Sequence, residues 1–334
     1  MKTTQTWKIG DCLQLLPEIP DKSIDMILTD LPYGTTACKW DTIIPLEPLW
    51  KEYKRIIKNS GSILLTASQP FTSLLVMSNI EMFRYGWIWE KENGSNFLSA
   101  NRIPLKTHED ILFFSLDNAI GENKELRQYF QDEIKKAGLT TCKQINRVLG
   151  TDDTGGGMAS HYFSTKENLQ QWALPTKEMY EKLQVTGFFK KDYSEIERLY
   201  VGRVNSTTYN PQMKIGKRYI CKSGKAGQVY GGNNKSVTTI NNGNRYPTTI
   251  LPFDRDSFKI HPTQKPVALW EYLIKTYTNE GDTVHDSCVG SGTTLEACSN
   301  LNRNCIAFEL LHDWEEHYRK RLRLDNTKLD AWTT

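Results

Sequence analysis

Residues 283–309 constrain the fold of this chain more than any other stretch. Thr283-Val284-His285-Asp286 is a short strand-like run closed by an acid. Ser287-Cys288-Val289-Gly290-Ser291-Gly292-Thr293-Thr294 is a Gly-rich loop opening a helix over Leu295 to Leu301. Asn304-Cys305-Ile306-Ala307-Phe308-Glu309 is a second buried strand, again ending in an acid. This succession belongs to an α/β sheet. The glycines let a ligand approach the backbone, and the helix N-terminus favours a negative group such as a carboxylate. No Lys follows the second Gly, so the loop is not a phosphate-cradling P-loop, and the third Gly of the dinucleotide fingerprint is absent. Glu309 lies about 20 residues beyond the loop, where an acid holds ribose hydroxyls. Together these features describe a nucleoside-type cofactor whose carboxylate lies near the loop or the Thr293-Thr294 helix start. Without the loop, Glu309 would read as a charge at a helix N-terminus.

The first part of the chain repeats the alternation. Trp7 to Asp11 is a short strand ending in a turn with an acid, followed by a helical turn over Cys12 to Ile19. Ser23 to Asp30 is a strand whose apolar Met26-Ile27-Leu28 breaks into Asp30-Leu31-Pro32-Tyr33-Gly34. Ligands of open α/β sheets bind at such a C-terminal strand edge. A polar loop to Asp41 carries Lys39 and Trp40. Pro48 to Lys58 has helical spacing, Ser62 to Thr66 is a buried strand, and Phe71 to Asn79 is helical. Tyr85 to Lys91 and Asp110 to Leu116 are strands flanking a polar loop, Glu92 to His108, that contains Phe97 and Arg102. A largely parallel sheet is expected over residues 1–116.

The pattern changes over residues 117–257. Lys124 to Ala137 reads as a charged amphipathic helix. A second helix runs from a Thr140 cap to Gly150, short helices begin at Met158 and at Lys177, and Gly155-Gly156-Gly157 forms a turn. This spacing over residues 124–183 fits either a helix-turn-helix or an ordinary helical insertion. Val201 to Pro247 contains Arg203, Lys214, Lys217, Arg218, Lys222, Lys225, Lys235 and Arg245 and no Asp or Glu. Tyr209, Tyr219, Tyr230 and Tyr246 are interleaved. A loop so charged favours phosphate contact with aromatic stacking, the alternative being a solvated loop. The candidate nucleic-acid contacts are Lys39, Arg102, Arg203, Tyr209, Lys214, Lys217, Arg218, Lys222 and Arg245.

Bulk properties exclude several classes. The mean hydropathy of −0.54 and 38% hydrophobic content fit a soluble globular protein. No apolar run reaches membrane-spanning length, and the N-terminus lacks the apolar core of a signal peptide. The seven cysteines are scattered without C-x-x-C spacing, which argues for a reducing compartment and against a zinc site or disulfide framework. His108, His161, His285, His312 and His317 form no metal-spaced set.

Three signatures together carry a resemblance. Asp30-Leu31-Pro32-Tyr33, His261-Pro262-Thr263-Gln264-Lys265-Pro266 and the Asp286–Thr294 loop, in that order, resemble the β group of DNA amino-methyltransferases. The resemblance covers residues 7–116 and 258–323. It implies a Rossmann-like α/β methyltransferase fold, mostly parallel with helices on both faces, split by a helical and loop-rich target-recognition insertion. Residues 1–116 would be the catalytic half, 117–257 the insertion and 258–334 the cofactor half. The implied cofactor is S-adenosylmethionine, and the implied substrate is the exocyclic amine of a flipped base in double-stranded DNA. Adenine N6 is the first expectation, because Asp leads the turn, and cytosine N4 is the alternative. A DNA-binding protein with an inactive core is the alternative of another class.

The resemblance also implies roles. Asp30 and the Leu31 carbonyl would accept the amine N–H bonds, Pro32 would fix the turn, and Tyr33 would stack on the base. Asp11, Lys265, Asp286, Ser287, Gly290, Ser291, Gly292, Thr293, Thr294 and Glu309 would surround the cofactor, with Lys265 alternatively beside the catalytic turn. His261 would be structural. Leu31 stands where the family turn carries Pro, so its side chain is expected to be expendable and its carbonyl not. Ser287-Cys288 stand where the family carries Pro-Phe, whose aromatic packs on the cofactor. A homodimer and a cognate restriction endonuclease are further partners the resemblance suggests. The implied location is the cytoplasm of a prokaryotic or phage-infected cell.

Overall fold

The computed structural model describes residues 3–36, 38, 41–116, 124–150, 174–204, 207–222, 238–257 and 264–323. The chain divides into two compact units. One comprises Met1–Leu116, Thr207–Gln212 and Tyr246–Thr334, and the other Asp117–Ser206 and Met213–Arg245. The expected insertion thus gives up two segments, 207–212 and 246–257, to the first unit. Pairing explains the second of these: Ile250–Pro252 forms a strand alongside Ile88–Glu90.

The elements of the first unit, in chain order, begin with β1 (Gln5–Ile9), α1 (Cys12–Leu15), β2 (Ile24–Thr29), α2 (Leu46–Ile56), β3 (Ile57–Ala67) and α3 (Phe71–Ser78). The hairpin strands β4 (Phe83–Ser95) and β5 (Lys106–Phe114) follow. The second unit contains α4 (Lys124–Lys136), α5 (Cys142–Leu149), α6 (Lys177–Gln184), α7 (Tyr193–Val204) and four short strands. These are β6 (Lys214–Ile215), β7 (Tyr219–Lys222), β8 (Thr238–Asn241) and β9 (Asn244–Arg245). The first unit resumes with β10 (Ile250–Pro252), α8 (Val267–Tyr277), β11 (Thr283–Asp286), α9 (Thr293–Asn300), β12 (Asn304–Glu309) and α10 (Glu315–Arg321).

The sheet order is β1-β12-β11-β2-β3-β5-β4-β10, parallel except that β5 runs antiparallel to both its neighbours. Its central strands β2 and β11 and the second half of β3 are largely buried because both faces are covered. Side chains alternate between two cores. Met26, Leu28 and Leu64 pack with Trp270, Leu273, Ile274 and Tyr277 of α8. Ile27, Ile63 and Leu65 pack with Trp50, Tyr53 and Ile56 of α2 and Phe71 of α3. This doubly wound layout places the C-terminal ends of β1, β12, β11, β2 and β3 on one edge. The expected loop Glu92–His108 is shorter, since ladder pairing continues to Ser95 opposite Lys106.

In the second unit, α4 to α7 bury Phe130, Ile145, Leu149, Tyr180, Leu183 and Ile196 around one core. The cap of α5 is Thr141 rather than Thr140, because Gln144 and Thr141 form a reciprocal capping box. Gly150 closes that helix with a left-handed φ of +69°. The Gly155–Gly157 turn and the Met158 helix, needed for the helix-turn-helix reading, lie outside the described residues. The basic stretch is not simply a loop: β6 pairs with β9 and β7 with β8, both antiparallel. Among the described residues, no helix is long and apolar enough to cross a membrane, and no group of three His, Cys, Asp or Glu could hold a metal.

Candidate active site

Asp30 follows directly on β2 at the shared strand edge, with its side chain 25% exposed. The Tyr33 hydroxyl donates to its Oδ1 at 2.8 Å, and the Thr66 hydroxyl donates to the same oxygen. Lys265 Nζ meets Oδ2 at 2.5 Å. The Lys265 side chain is 6% exposed and also faces Glu109 Oε2 at 3.2 Å, an ion pair without hydrogen-bond geometry. Lys91 closes the chain by donating to Glu109 Oε1. Burial works against the Lys265 ammonium, but Asp30 and Glu109 outweigh it and raise its pKa. Burial likewise opposes the Glu109 carboxylate, yet the two lysines bring it down to about 2. For Lys91, burial dominates and lowers the pKa despite Glu109. Of the two carboxylates on Lys265, sequence placed only Asp30 in the site. Glu109 and its partner Lys91 come from the β4–β5 hairpin, and nothing in their local sequence links them to Asp30.

The ring of Tyr33 stacks on Phe71, with centroids 5.4 Å apart and planes at 22°, and Lys265 Nζ lies 5.7 Å from its centroid. Burial and the adjacent Asp30 push its phenol well up, so it remains a donor. Beyond the turn, Asp41 accepts backbone N–H bonds from Gly34, Thr35 and Thr36 at 2.8, 2.9 and 2.6 Å. Burial opposes that carboxylate, but the Thr36 side chain and these amides lower its pKa. Asp41 therefore holds the turn's exit, a role readable only as an acid closing a polar loop.

Leu31 was expected to have an expendable side chain. The residue is 3% exposed and packs in the core with Ile27, Leu49 and Phe71, which gives that side chain a packing role. Leu31→Ala is expected to cost about 2–3 kcal/mol by chemical denaturation. A cost below about 0.5 kcal/mol would restore the expendable reading.

The Gly-rich loop sorts its residues into two directions. Gly290 has a φ of +50°, and a Cβ there would meet nothing nearer than the Cys288 carbonyl at 4.0 Å, so its face is open. Gly292 has a φ of +84°, but a Cβ there would lie 2.8 Å from the Tyr318 ring, so this glycine serves close packing against α10. The Ser287 hydroxyl is buried between Tyr53 OH at 2.8 Å and His285 Nε2 at 2.9 Å, facing away from the open side of the loop. Thr294 points inward too, accepting from Trp270 Nε1 at 2.8 Å and donating to Asp286. Asp286 is 2% exposed and accepts the Cys288 amide at 3.0 Å, which makes it the loop's internal brace. These three side chains and Gly292, all expected at the cofactor, also brace the loop from within. Ser291 contacts Thr293 at 3.3 Å, and Thr293 donates to the Lys265 carbonyl, tying the loop to the strand edge beside Asp30.

Two acids frame the far side. Glu309 accepts Gly290 N–H at 2.8 Å and Leu311 N–H at 3.1 Å, and burial raises its pKa against these bonds. Asp11 is exposed and caps α1 through Leu13 N–H at 2.9 Å, while the Gly10 amide donates to the Glu309 carbonyl at 2.7 Å. The neighbouring Cys12 and burial push the Cys288 thiol well up.

His285 and Asp286 carry opposite pH signatures. Burial pushes Asp286 up to about 7 from 3.8, so its stabilising contribution is full below 3.8 and is lost as pH rises to about 7. Burial pushes His285 down to about 4 from 6.5, so its contribution is full above 6.5 and is lost as pH falls to about 4. Between these limits the two slopes cancel. His285→Asn is expected to unmask a stability that declines with pH from 4 to 7, on the order of 1 kcal/mol per unit. Urea midpoints across that range that parallel wild type would refute the pairing.

The candidate DNA contacts separate. Arg102 is exposed at the tip of the β4–β5 hairpin. Tyr209 belongs to the sheet unit, its ring centroid 6.0 Å from that of Tyr277 on α8, rather than to the basic strands. Lys214, Lys217, Arg218 and Arg245 are exposed together in the second unit. There Arg245 lies over the Tyr219 ring at 5.4 Å. Arg203 lies on α7 and Lys222 on β7, with side chains outside the described residues. Lys39 and His261-Pro262-Thr263 also fall outside them.

An open, doubly wound sheet with a Gly-rich loop after β11, an acid ending the neighbouring β12 and an acidic turn after β2, the neighbour on the other side, defines a Rossmann-like protein with a composite site on one edge. The chain belongs to the DNA methylase family, whose model matches residues 24–320. It is similar to the type II methyltransferase M.BglII of Bacillus subtilis, at 24% identity over 301 residues, 90% of this chain and 64% of that protein. M.HpaI of Haemophilus parainfluenzae is 38% identical over 102 residues, 29% of this chain and 32% of that protein. The chain thus spans less than two thirds of these relatives. The solved structure of PvuII DNA methyltransferase (cytosine-N4-specific) shares the fold, with a TM-score of 0.50 at 15% identity, covering 98% of this chain and 89% of that one.

Proposed function

We propose that this chain is a site-specific DNA methyltransferase that moves a methyl group from S-adenosylmethionine to the N6 amine of adenine in double-stranded DNA, by direct transfer to a flipped base. The observation that carries this reading is Asp30 beside the Gly-rich loop on one sheet edge, joined through Lys265 and Thr293. The open face at Gly290 and the acids Glu309 and Asp11 fit a nucleoside cofactor with a methionine end. Asp11 and Glu309 would hold its adenosine part, and Gly290, Ser291 and Thr293 would line its approach. When bound, it supplies an electrophilic methyl carbon on a sulfonium.

The remaining chemistry is orientation. A carboxylate offers about four acceptor positions. Three on Asp30 are taken by Tyr33, Thr66 and Lys265, leaving one for an amine N–H. The Leu31 carbonyl takes the other, which localises the nitrogen lone pair. Tyr33, braced by Phe71, forms the wall for the base. Lys265 holds the carboxylate in place, and Asp30 is the nearest acceptor for the proton the methylated amine releases. No covalent enzyme intermediate is required.

Cytosine N4 is the second reading, since it needs the same acceptors. Incubation of genomic DNA with protein and labelled S-adenosylmethionine, followed by nucleoside analysis, separates the two. N6-methyladenine supports the proposal, and N4-methylcytosine moves it to the second reading. Protein that binds no S-adenosylmethionine and leaves DNA unmodified points to a DNA-binding protein with an inactive core. Single-molecule sequencing of DNA from expressing cells then gives the target sequence.

A further inference from the structure

The β4–β5 hairpin outgrows the sheet. Asp110 pairs with Ala67 at the end of β3, but β5 extends four residues further, to Lys106 opposite Ser95. That is about 13 Å of β5 beyond the end of β3, paired with β4 through an irregularity between Glu90 and Ser95. Glu109, at its base, faces Lys265, which in turn holds Asp30, so the hairpin rises directly beside the catalytic turn.

The tip is built, not slack. Asn96 takes a left-handed φ of +75°, and Phe97–Ser99 forms a tight 3-10 turn. The Ser99 carbonyl accepts the amides of Arg102 at 2.8 Å and Ile103 at 3.0 Å. The neck is closed at Gly94, where a Cβ would lie 2.7 Å from that of Leu105. This frame holds Leu98 fully exposed, Phe97 69% exposed and Ile103 49% exposed. From Asn93 to His108 there is no Asp or Glu, and Arg102 stands at the tip.

Apolar side chains held out on a structured turn, with basic and no acidic neighbours, suit a target that is polyanionic outside and apolar within. A base stack is such a target. We propose that Leu98 and Phe97 form a wedge that enters duplex DNA beside the target base and occupies the space it vacates, with Arg102 on the flanking phosphate. The proposal rests on the DNA methyltransferase reading. It assigns base extrusion to the hairpin and leaves chemistry to Asp30.

The test uses full-length protein and two synthetic duplexes containing the methylated sequence, one fully paired and one with the target base mispaired. The variants are Leu98→Ala and Phe97→Ala/Leu98→Ala, both at exposed positions. Unstacking is the costly step on the paired duplex, so kcat/KM of the double variant should fall about 30-fold there and under about 3-fold on the mispaired one. A 2-aminopurine at the target position should brighten with wild type and not with the double variant. Equal losses on both duplexes, or no loss on either, would overturn the wedge alone. So would unchanged methylation together with loss of self-association, which would make the tip a contact between copies. Wild type that methylates neither duplex would overturn the methyltransferase reading, and the wedge with it.

Discussion

Asp30→Ala is expected to reduce methyl transfer by roughly 100- to 1,000-fold, while S-adenosylmethionine binds with wild-type affinity. In the proposed mechanism Asp30 contributes the acceptor that aligns the amine, and it follows a different strand from the one that leads into the Gly-rich loop. Its loss leaves Lys265 still paired with Glu109, so the fold should tolerate it. Isothermal titration with the cofactor and single-turnover methylation on the same preparation separate the two effects. Loss of cofactor binding along with activity would mean that Asp30 builds the pocket rather than serving the base. Retained activity within about threefold would remove Asp30 from the chemistry.

Lys265→Met is expected to be the most destabilising single change in the site, at about 3 kcal/mol near neutral pH. The substitution keeps the buried stem but removes the cation between two carboxylates, of which Glu109 is only 15% exposed. Lys91 alone then compensates Glu109. The sign follows from Glu109, whose pKa is brought down to about 2 from 4.5. Stability from that lowering is present above about 4.5 and is lost as pH falls toward 2. The gap between wild type and Lys265→Met should therefore narrow in acid, and Lys265→Met/Glu109→Gln should recover part of it at pH 7. Urea unfolding at two pH values measures both. A gap that does not depend on pH, or a double variant less stable than the single, would contradict the charge-pairing account.

The positions of the site were legible, but the directions of its side chains were only partly so. Buried strands ending in acids point to a shared edge when a Gly-rich loop accompanies them, since an acid at a strand end can also serve as a helix cap, as Asp11 does for α1. That reasoning placed Asp11, Asp30, Asp286 and Glu309 at strand ends. It could not show that Asp286, Ser287 and Thr294 turn inward, since a loop motif fixes spacing and not which face each residue presents. Gly290 and Gly292 look equivalent in sequence, yet only Tyr318, some two dozen residues on, tells them apart. Glu109, Lys91 and Thr66 were missed because their link to Asp30 exists only after β3 and β5 pair. The packing of Leu31 was missed for a related reason: a turn residue can bury its side chain beneath the turn. The helix α7 and the three-residue strand β10 gave little periodic signal.

The outermost pairing has a kinetic consequence. Residues Gln5–Ile9 have no partner in the sheet until Cys305–Glu309 arrives. A ribosome that has made the first 116 residues has released Asp30, its turn and the hairpin, but nothing to finish the sheet on that side. Closing so long a loop slows folding more than it weakens the final structure. During that interval β2 exposes the edge that β11 later covers. Synthesis is therefore the period when this chain is most open to mispairing and aggregation, and slowing translation before β11 should lengthen it.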